Sequence, residues 1–250
     1  MKENNMIHNI LTSFNEKYWQ EIAETTVGQL DLNWPDSDKI FLYHQLNSIP
    51  KKFKKRTDWI DLYSSCPDLP KFVEKWKDHP KANGAKNFRT NAVKFVHKTF
   101  AIWHQAKLQK EGWLIWLDVD AFVYKKIDKD FLNRVCPNEY SISFMGRPGK
   151  YSECGWIGFN LSHPKTMDFI LEWERLYLSG DFIDLPETHD SWTFDYIRKN
   201  WNRPDLFFNV NSAAKTKKHP FSQSMIGTHI VHAKGAGKDN LIERFKNRLV

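Results

Sequence analysis

The sequence predicts an α/β protein, one domain built on a mostly parallel central sheet flanked by helices. Three observations carry this. Trp113 to Leu117 (Trp-Leu-Ile-Trp-Leu) is continuously apolar, as a strand covered on both faces must be. Phe88 to Lys110 before it places Ala92, Phe95, Val96, Phe100, Ile102 and Trp103 on the buried side of a long amphipathic helix. That helix leads through Gly112 into the strand, the logic of a βαβ unit. Finally, strand-like and helical runs alternate to the end of the 250 residues with no repeat, low-complexity tract or linker, so one large domain accommodates the chain.

The elements follow in order. Met6 to about Val27 has helical spacing (Ile7, Ile10, Leu11, Phe14, Tyr18, Ile22), which predicts a helical segment within residues 1–35, ending near Gly28 and closed by Trp34-Pro35. Lys39–Leu46 predicts the first strand, and a second short strand is expected near Trp59–Tyr63. Leu69 to Trp76 predicts a helix, and residues 77–87 a polar loop. Beyond the long helix and the apolar strand, further strands are expected at Tyr140–Met145, Gly155–Leu161 and Thr228–His232. Helices fit Pro164–Leu178 and Ser191–Asn200.

Composition narrows the chemistry. Hydrophobic content of 41% supports a substantial core, and eleven Trp with eighteen Phe exceed what such a core needs, which leaves rings for a binding surface. A net charge of +7 favours an anionic ligand. Three cysteines (Cys66, Cys136, Cys154) without metal-type spacing argue against a disulfide framework and for a reducing compartment. With no signal-peptide pattern and no membrane-length apolar run, a soluble cytoplasmic protein is expected.

The apolar strand delivers two carboxylates, Asp118 and Asp120. Positions i and i+2 of an extended segment face the same way, so both would project together at the strand's end, where open α/β sheets bind ligands. Two fixed anions there call for Mn²⁺ or Mg²⁺ bridging to substrate phosphates. The other Asp-x-Asp pairs, Asp36/Asp38 and Asp128/Asp130, lie in polar surroundings and read as solvated surface. Near the C-terminus, His232 at the exit of a short strand would complete the metal set, Gly235 and Gly237 permit close backbone approach, and Lys238 offers a point charge to phosphate.

With these motifs the chain resembles GT-A-fold (Rossmann-like) glycosyltransferases, nucleotide-sugar-dependent enzymes whose Asp-x-Asp holds Mn²⁺ or Mg²⁺ against a diphosphate. His232-x-x-Gly235-x-x-Lys238 is similar to the closing motif of the glycogenin-like and lipopolysaccharide galactosyltransferase-like members, although Asp239-Asn240 stands where theirs continues Pro-Trp. The resemblance implies that His232 is a metal ligand and that Lys238 touches the diphosphate. Thr188-His189-Asp190-Ser191 resembles the His-Asp-Glu of blood-group-type retaining galactosyltransferases, with Asp190 at their Asp and Ser191 in place of their Glu, which leaves the stereochemical outcome open. It implies a single glycosyltransferase domain over residues 1–250, with a nucleotide-sugar-binding half at 36–135 and an acceptor half with the closing motif at 136–250.

Transfer of a sugar from a nucleoside diphosphate sugar, UDP-linked, to an acceptor hydroxyl is therefore expected. Arg89, Lys94, Tyr43 and Gln45 are donor-binding candidates together with Asp118, Gly235 and Lys238. Lys98 shares a face with Lys94, which a solvated cationic stripe explains equally well. Asp190 and Glu153 are the acid–base candidates, and Trp156 and His189 the acceptor contacts. Cys154 reads as a buried filler. The acceptor is a glycan or, given the basic runs Lys51–Arg56 and Lys215–Lys218, a hydroxymethylated base in DNA. A nucleotidyltransferase of similar sheet architecture and a non-catalytic nucleotide- or glycan-binding module are the rival classes.

Overall fold

The computed structural model describes residues 6–50, 57–85, 87–213 and 219–233, with residues 240 and 243. Its elements in chain order begin with β1 (His8–Asn15), then a helical run composed of α1 (Glu16–Tyr18), a π-helical turn (Trp19–Ala23) and α2 (Glu24–Asn33). β2 (Ile40–Gln45), β3 (Thr57–Asp61), α3 (Leu62–Ser65) and α4 (Asp68–Trp76) follow. A 3₁₀ turn (Phe88–Thr90) precedes α5 (Ala92–Leu108), β4 (Trp113–Leu117), β5 (Ala121–Val123), α6 (Lys129–Val135) and β6 (Ile142–Met145). The chain continues with β7 (Glu153–Asn160), α7 (Thr166–Ser179), α8 (Asp190–Asn200), β8 (Phe207–Asn209) and β9 (Ile230–His232).

Among the described residues the strands form a seven-stranded sheet, β3-β2-β1-β4-β7-β6-β8, and a two-stranded ribbon, β5-β9. β3, β2, β1 and β4 are mutually parallel, and β8 is parallel to β6. β7 runs against both of its neighbours. One reversed strand in an otherwise parallel sheet is the α/β architecture the sequence predicts.

Each face of the sheet carries its own core. On one side Leu114 and Trp116 of β4 meet Val96, Phe100 and Trp103 of α5, with Phe169, Trp173 and Tyr177 of α7 beyond. On the other, Trp113, Ile115 and Leu117 meet Val27 and Leu30 of α2 and Phe131, Leu132 and Val135 of α6. All five residues of β4 are buried, hence its unbroken apolar run. Each large side chain so covered contributes about 1.5–3 kcal/mol.

The N-terminal segment differs from expectation. His8–Asn15 is not helical but forms the strand between β2 and β4. Ile7, Ile10, Leu11 and Phe14 satisfy a helical spacing by coincidence. Burial on both faces removes the alternation that marks a strand, and buried polar residues (His8, Asn9, Thr12) break up the apolar run. Helix does occupy the rest of the segment, but it passes through Gly28 and ends at Asn33. β5 and β8 are three residues each, too short to show a period. Asp38 is likewise no surface residue: its carboxylate is buried and accepts from Lys129 Nζ at 2.5 and 2.6 Å. Asp128 caps α6, accepting from the Phe131 backbone N–H at 2.7 Å.

Gly112 sets the entry into β4. Its φ is +77°, and a Cβ there would lie 2.8 Å from both Cβ and the carbonyl oxygen of Ile7, whose carbonyl accepts from Trp113 N–H at 2.8 Å. Gly112→Ala must therefore strain the backbone and push on β1 together. A loss of about 1–3 kcal/mol in urea unfolding is expected, and an unchanged midpoint would show that this junction gives way freely.

Candidate active site

Parallel strands β1, β2 and β4 end at one edge of the sheet, and the reversed β7 brings its beginning to the same edge. A cavity of about 760 Å³ opens there, lined by Asn15 at the end of β1, Gln45 at the end of β2, Asp118 and Asp120 after β4, and His189 and Asp190 at the start of α8. The C-terminal edge of an open α/β sheet is the usual ligand position.

Asp118 is fixed from three directions. Its Oδ1 accepts from Trp116 Nε1 at 2.7 Å and lies 2.7 Å from Lys98 Nζ, and its backbone N–H donates to Gly155 O at 2.9 Å. Asp120 is brought to His232 by the ribbon. Ala121 of β5 stands opposite His232 of β9, and Ala233 N–H donates to Asp120 O at 2.9 Å. His232 Nε2 consequently lies 2.7 Å from Asp120 Oδ1 across 112 residues of chain. Donor atoms of Asp118, Asp120 and His232 all fall within 4.8 Å of one another. Gly155 leaves the space they need: a Cβ there would stand 3.2 Å from His232 Cε1 and 3.3 Å from Asp118 Oδ2.

Lys98 is the residue that sequence reasoning leaves ambiguous. It is no solvated stripe: its side chain is 9% exposed. Its ammonium sits 2.6 Å from Asp190 Oδ2, 2.7 Å from Asp118 Oδ1 and 2.9 Å from Cys154 O. Burial works to lower the Lys98 pKa, but Asp118 and Asp190 outweigh it and hold the ammonium charged well above its ordinary range. For Asp190 burial works upward; Lys98 and the neighbouring His189 overcome it and bring the carboxyl down to about 2. Its place in the first turn of α8 also favours the anion. Burial raises the Asp118 pKa, opposed by Lys98 and reinforced by Asp120. The Cys154 thiol is pushed far upward, chiefly by burial, which suits a filler and not a nucleophile.

His189 closes the other side. Its Nε2 lies 2.8 Å from Glu187 Oε2, and the Tyr151, Phe88 and Phe95 rings surround it at centroid distances of 4.7, 5.7 and 5.9 Å. Arg147 lies over the Tyr151 ring at 5.2 Å and lines the cavity, as do Tyr18 and His219. None of these last residues carried a motif by which sequence could find them.

Of the predicted residues, Asp118, Asp120, His232, Asp190, His189, Lys94 and Gln45 meet around this cavity. Tyr43 does not. It is buried under α5, its hydroxyl 2.7 Å from His104 Nδ1 and donating to Gln105 Oε1 at 3.0 Å. Trp156 is fully buried in the core. Pairing of β6 with β7 jumps from Phe144↔Ile157 to Met145↔Glu153, and that bulge re-aims the residues between. Arg89 pairs with Glu187 at 3.2 Å, away from the cavity lining. Glu153 is buried behind the wall, 3.1 Å from Arg147 Nη2 and 3.0 Å from His219 Nε2. Gly235, Lys238 and both basic runs lie outside the described residues.

No family model and no curated protein sequence matches the chain. Solved structures do. Mouse xyloside xylosyltransferase 1 in its apo form superposes with a TM-score of 0.51 at 13% identity, covering 82% of this chain and 85% of that one. The glycosyltransferase GlyE of Streptococcus pneumoniae TIGR4 gives 0.56 at 15%, covering 98% of this chain but 61% of its own. Galactosyltransferase LgtC, in complex with donor and acceptor sugar analogs, gives 0.51 at 10%, covering 96% and 95%. Likeness at such identities is likeness of fold. It bears out the single GT-A arrangement expected from the sequence.

Removing the ammonium at the centre of the site strands two carboxylates. Lys98→Met is expected to cost about 3–5 kcal/mol of unfolding free energy at pH 7, read by urea denaturation. A variant as stable as the parent would mean that Asp118 and Asp190 do not depend on Lys98.

Proposed function

We propose that the chain is a metal-dependent glycosyltransferase that moves a sugar from a nucleoside diphosphate sugar, with UDP-linked donors the first to test, to an acceptor hydroxyl on a saccharide. The observation that carries this reading is the convergence of Asp118, Asp120 and His232 within 4.8 Å beside a substrate-sized cavity, with Lys98–Asp190 against the same Asp118. Two carboxylates and one imidazole suit Mn²⁺ or Mg²⁺, and the bare Gly155 leaves them room. Such an ion, when bound, supplies Lewis acidity and charge neutralisation to a leaving diphosphate.

The chain's own groups do the rest. Gln45 and Tyr18 line the part of the cavity beside β1 and β2, where an amide and a phenol suit a nucleotide base. Tyr151, Phe88 and Phe95 around His189 offer apolar faces of the kind that pack on a sugar ring. Asp190, held ionised, stabilises positive charge that develops on the transferred sugar.

The same facts favour retention of configuration. Inversion needs a base able to take the acceptor proton near neutral pH. Among the described residues the carboxylates on the cavity wall are Asp118, Asp120 and Asp190. The first two are assigned to the cation, and Asp190, at about 2 beside Lys98, is too weak a base. Glu153 lies off the wall under Arg147. With Ser191 in place of a second acid, we assign the leaving diphosphate as the group that accepts the proton. The described residues add nothing for a DNA acceptor, and none of their helices is long and apolar enough to cross a membrane.

Two measurements test this. Donor turnover with Mn²⁺, followed as nucleoside diphosphate release, should fall by about a hundredfold or more in Asp120→Ala while the circular dichroism spectrum is kept. Undiminished turnover rejects the cation assignment, and release of inorganic pyrophosphate instead would favour a nucleotidyltransferase. The first-formed product, read by proton NMR before mutarotation or on a stable glycoside, should keep the donor's anomeric configuration. An inverted product would overturn this reading and point to a base other than Asp190, such as a cavity-lining histidine.

A further inference from the structure

We propose that Glu153, His219 and His232 form a second cation site, one that takes zinc. Their donor atoms lie within 4.8 Å of one another, and His232 belongs to both this set and the acidic one. β7 begins at Glu153, His219 precedes the 3₁₀ turn Pro220–Ser222, and His232 ends β9. The imidazole planes are held by rings: His219 stacks on Phe221 at 5.7 Å and meets His232 edge-on at 5.3 Å, with Phe221 5.0 Å from His232.

One nitrogen here lacks what buried polar atoms normally have: His232 Nδ1 is shielded from solvent with no hydrogen-bond partner among the described residues, while His219 Nε2, also shielded, has the Glu153 carboxylate 3.0 Å away. The His232 side chain is only 2% exposed. Burying a polar atom without a partner is costly, and a lone pair aimed at a cation removes that cost.

The donor chemistry selects the metal. Two imidazoles and one carboxylate, with a further position open to water, form a zinc donor set, whereas Mg²⁺ and Mn²⁺ favour the oxygen-rich pair Asp118 and Asp120. Arg147 Nη2, 3.1 Å from Glu153 Oε2, is the outer partner that orients the ligating carboxylate, and its charge moderates the affinity. Because His232 is common to both sets, zinc on one withdraws a ligand from the other. Zinc would then act against the cation of the transfer reaction, a consequence that rests on the function proposed above. Zinc binding itself does not.

Equilibrium dialysis of the full chain against Zn²⁺ alone, followed by metal analysis, tests the site without any substrate. One zinc per chain is expected. His219→Gln should weaken it by about tenfold or more while leaving Mn²⁺ binding, followed by electron paramagnetic resonance of the free ion, unchanged. Asp120→Asn should do the reverse. Equal zinc affinity in His219→Gln and the parent would overturn the proposal, as would zinc binding lost in Asp120→Asn but kept in His219→Gln. Co²⁺ in the unaltered chain gives a readout that needs no variant: strong visible bands of four-coordination are expected, and weak six-coordinate bands would count against the site.

Discussion

One buried ammonium holds the working edge of this molecule together. Lys98 reaches from α5 to Asp118 at the end of β4, to Asp190 at the start of α8 and to the carbonyl of Cys154 in β7. Four elements thus meet on a single cation. Asp118 is shared between this ammonium and the Asp118–Asp120–His232 cluster, and there burial and Asp120 work against its ionisation while Lys98 supports it.

The sheet supplies the positions. Reversal of β7 turns its first residues toward the edge where the parallel strands end, and the bulge between Phe144 and Met145 changes which of them face inward. Gly155 presents no side chain to Asp118 and His232, and Trp156 is sent into the core instead. The small ribbon does the long-range work. Pairing Ala121 with His232 draws the C-terminal region onto the segment that leaves Asp120, so a six-residue contact closes a loop of more than a hundred residues. Loop closure of that length costs little more than a loop half as long, so the sequence separation is no obstacle.

How much of this could be read from the residues alone depended on burial. β4 was legible because covering both faces leaves an unbroken apolar run, and the carboxylates that end it stand out against that run. Asp190 is legible through resemblance and His232 from its place at the exit of a short strand, and both line the cavity. β1, covered in the same way, was not legible because His8, Asn9 and Thr12 are buried within it and its remaining apolar residues mimic a helix. Lys98 was read as ambiguous because lysine is almost never buried unless paired, and its partners lie 20 and 92 residues away. Tyr43 and Trp156 failed for a different reason. Strand register and a bulge decide which face a ring meets, and neither can be seen in a single sequence.

A buried ion cluster does not by itself imply function, since apolar residues of similar volume often serve stability as well or better. The chain offers its own control. Asp38 and Lys129 form a second buried pair, with Lys129 also donating to Met6 O at 2.9 Å. Asp38 stands just before β2 begins, at the sheet edge opposite the cavity, and neither partner lines it. That pair closes on itself, one anion against one cation. The Lys98 cluster gathers two carboxylates on one ammonium, borders a hollow large enough for a small molecule, and is faced by an imidazole brought from far along the chain. What separates the two is the second carboxylate and the hollow beside it, and on those features the proposed function rests.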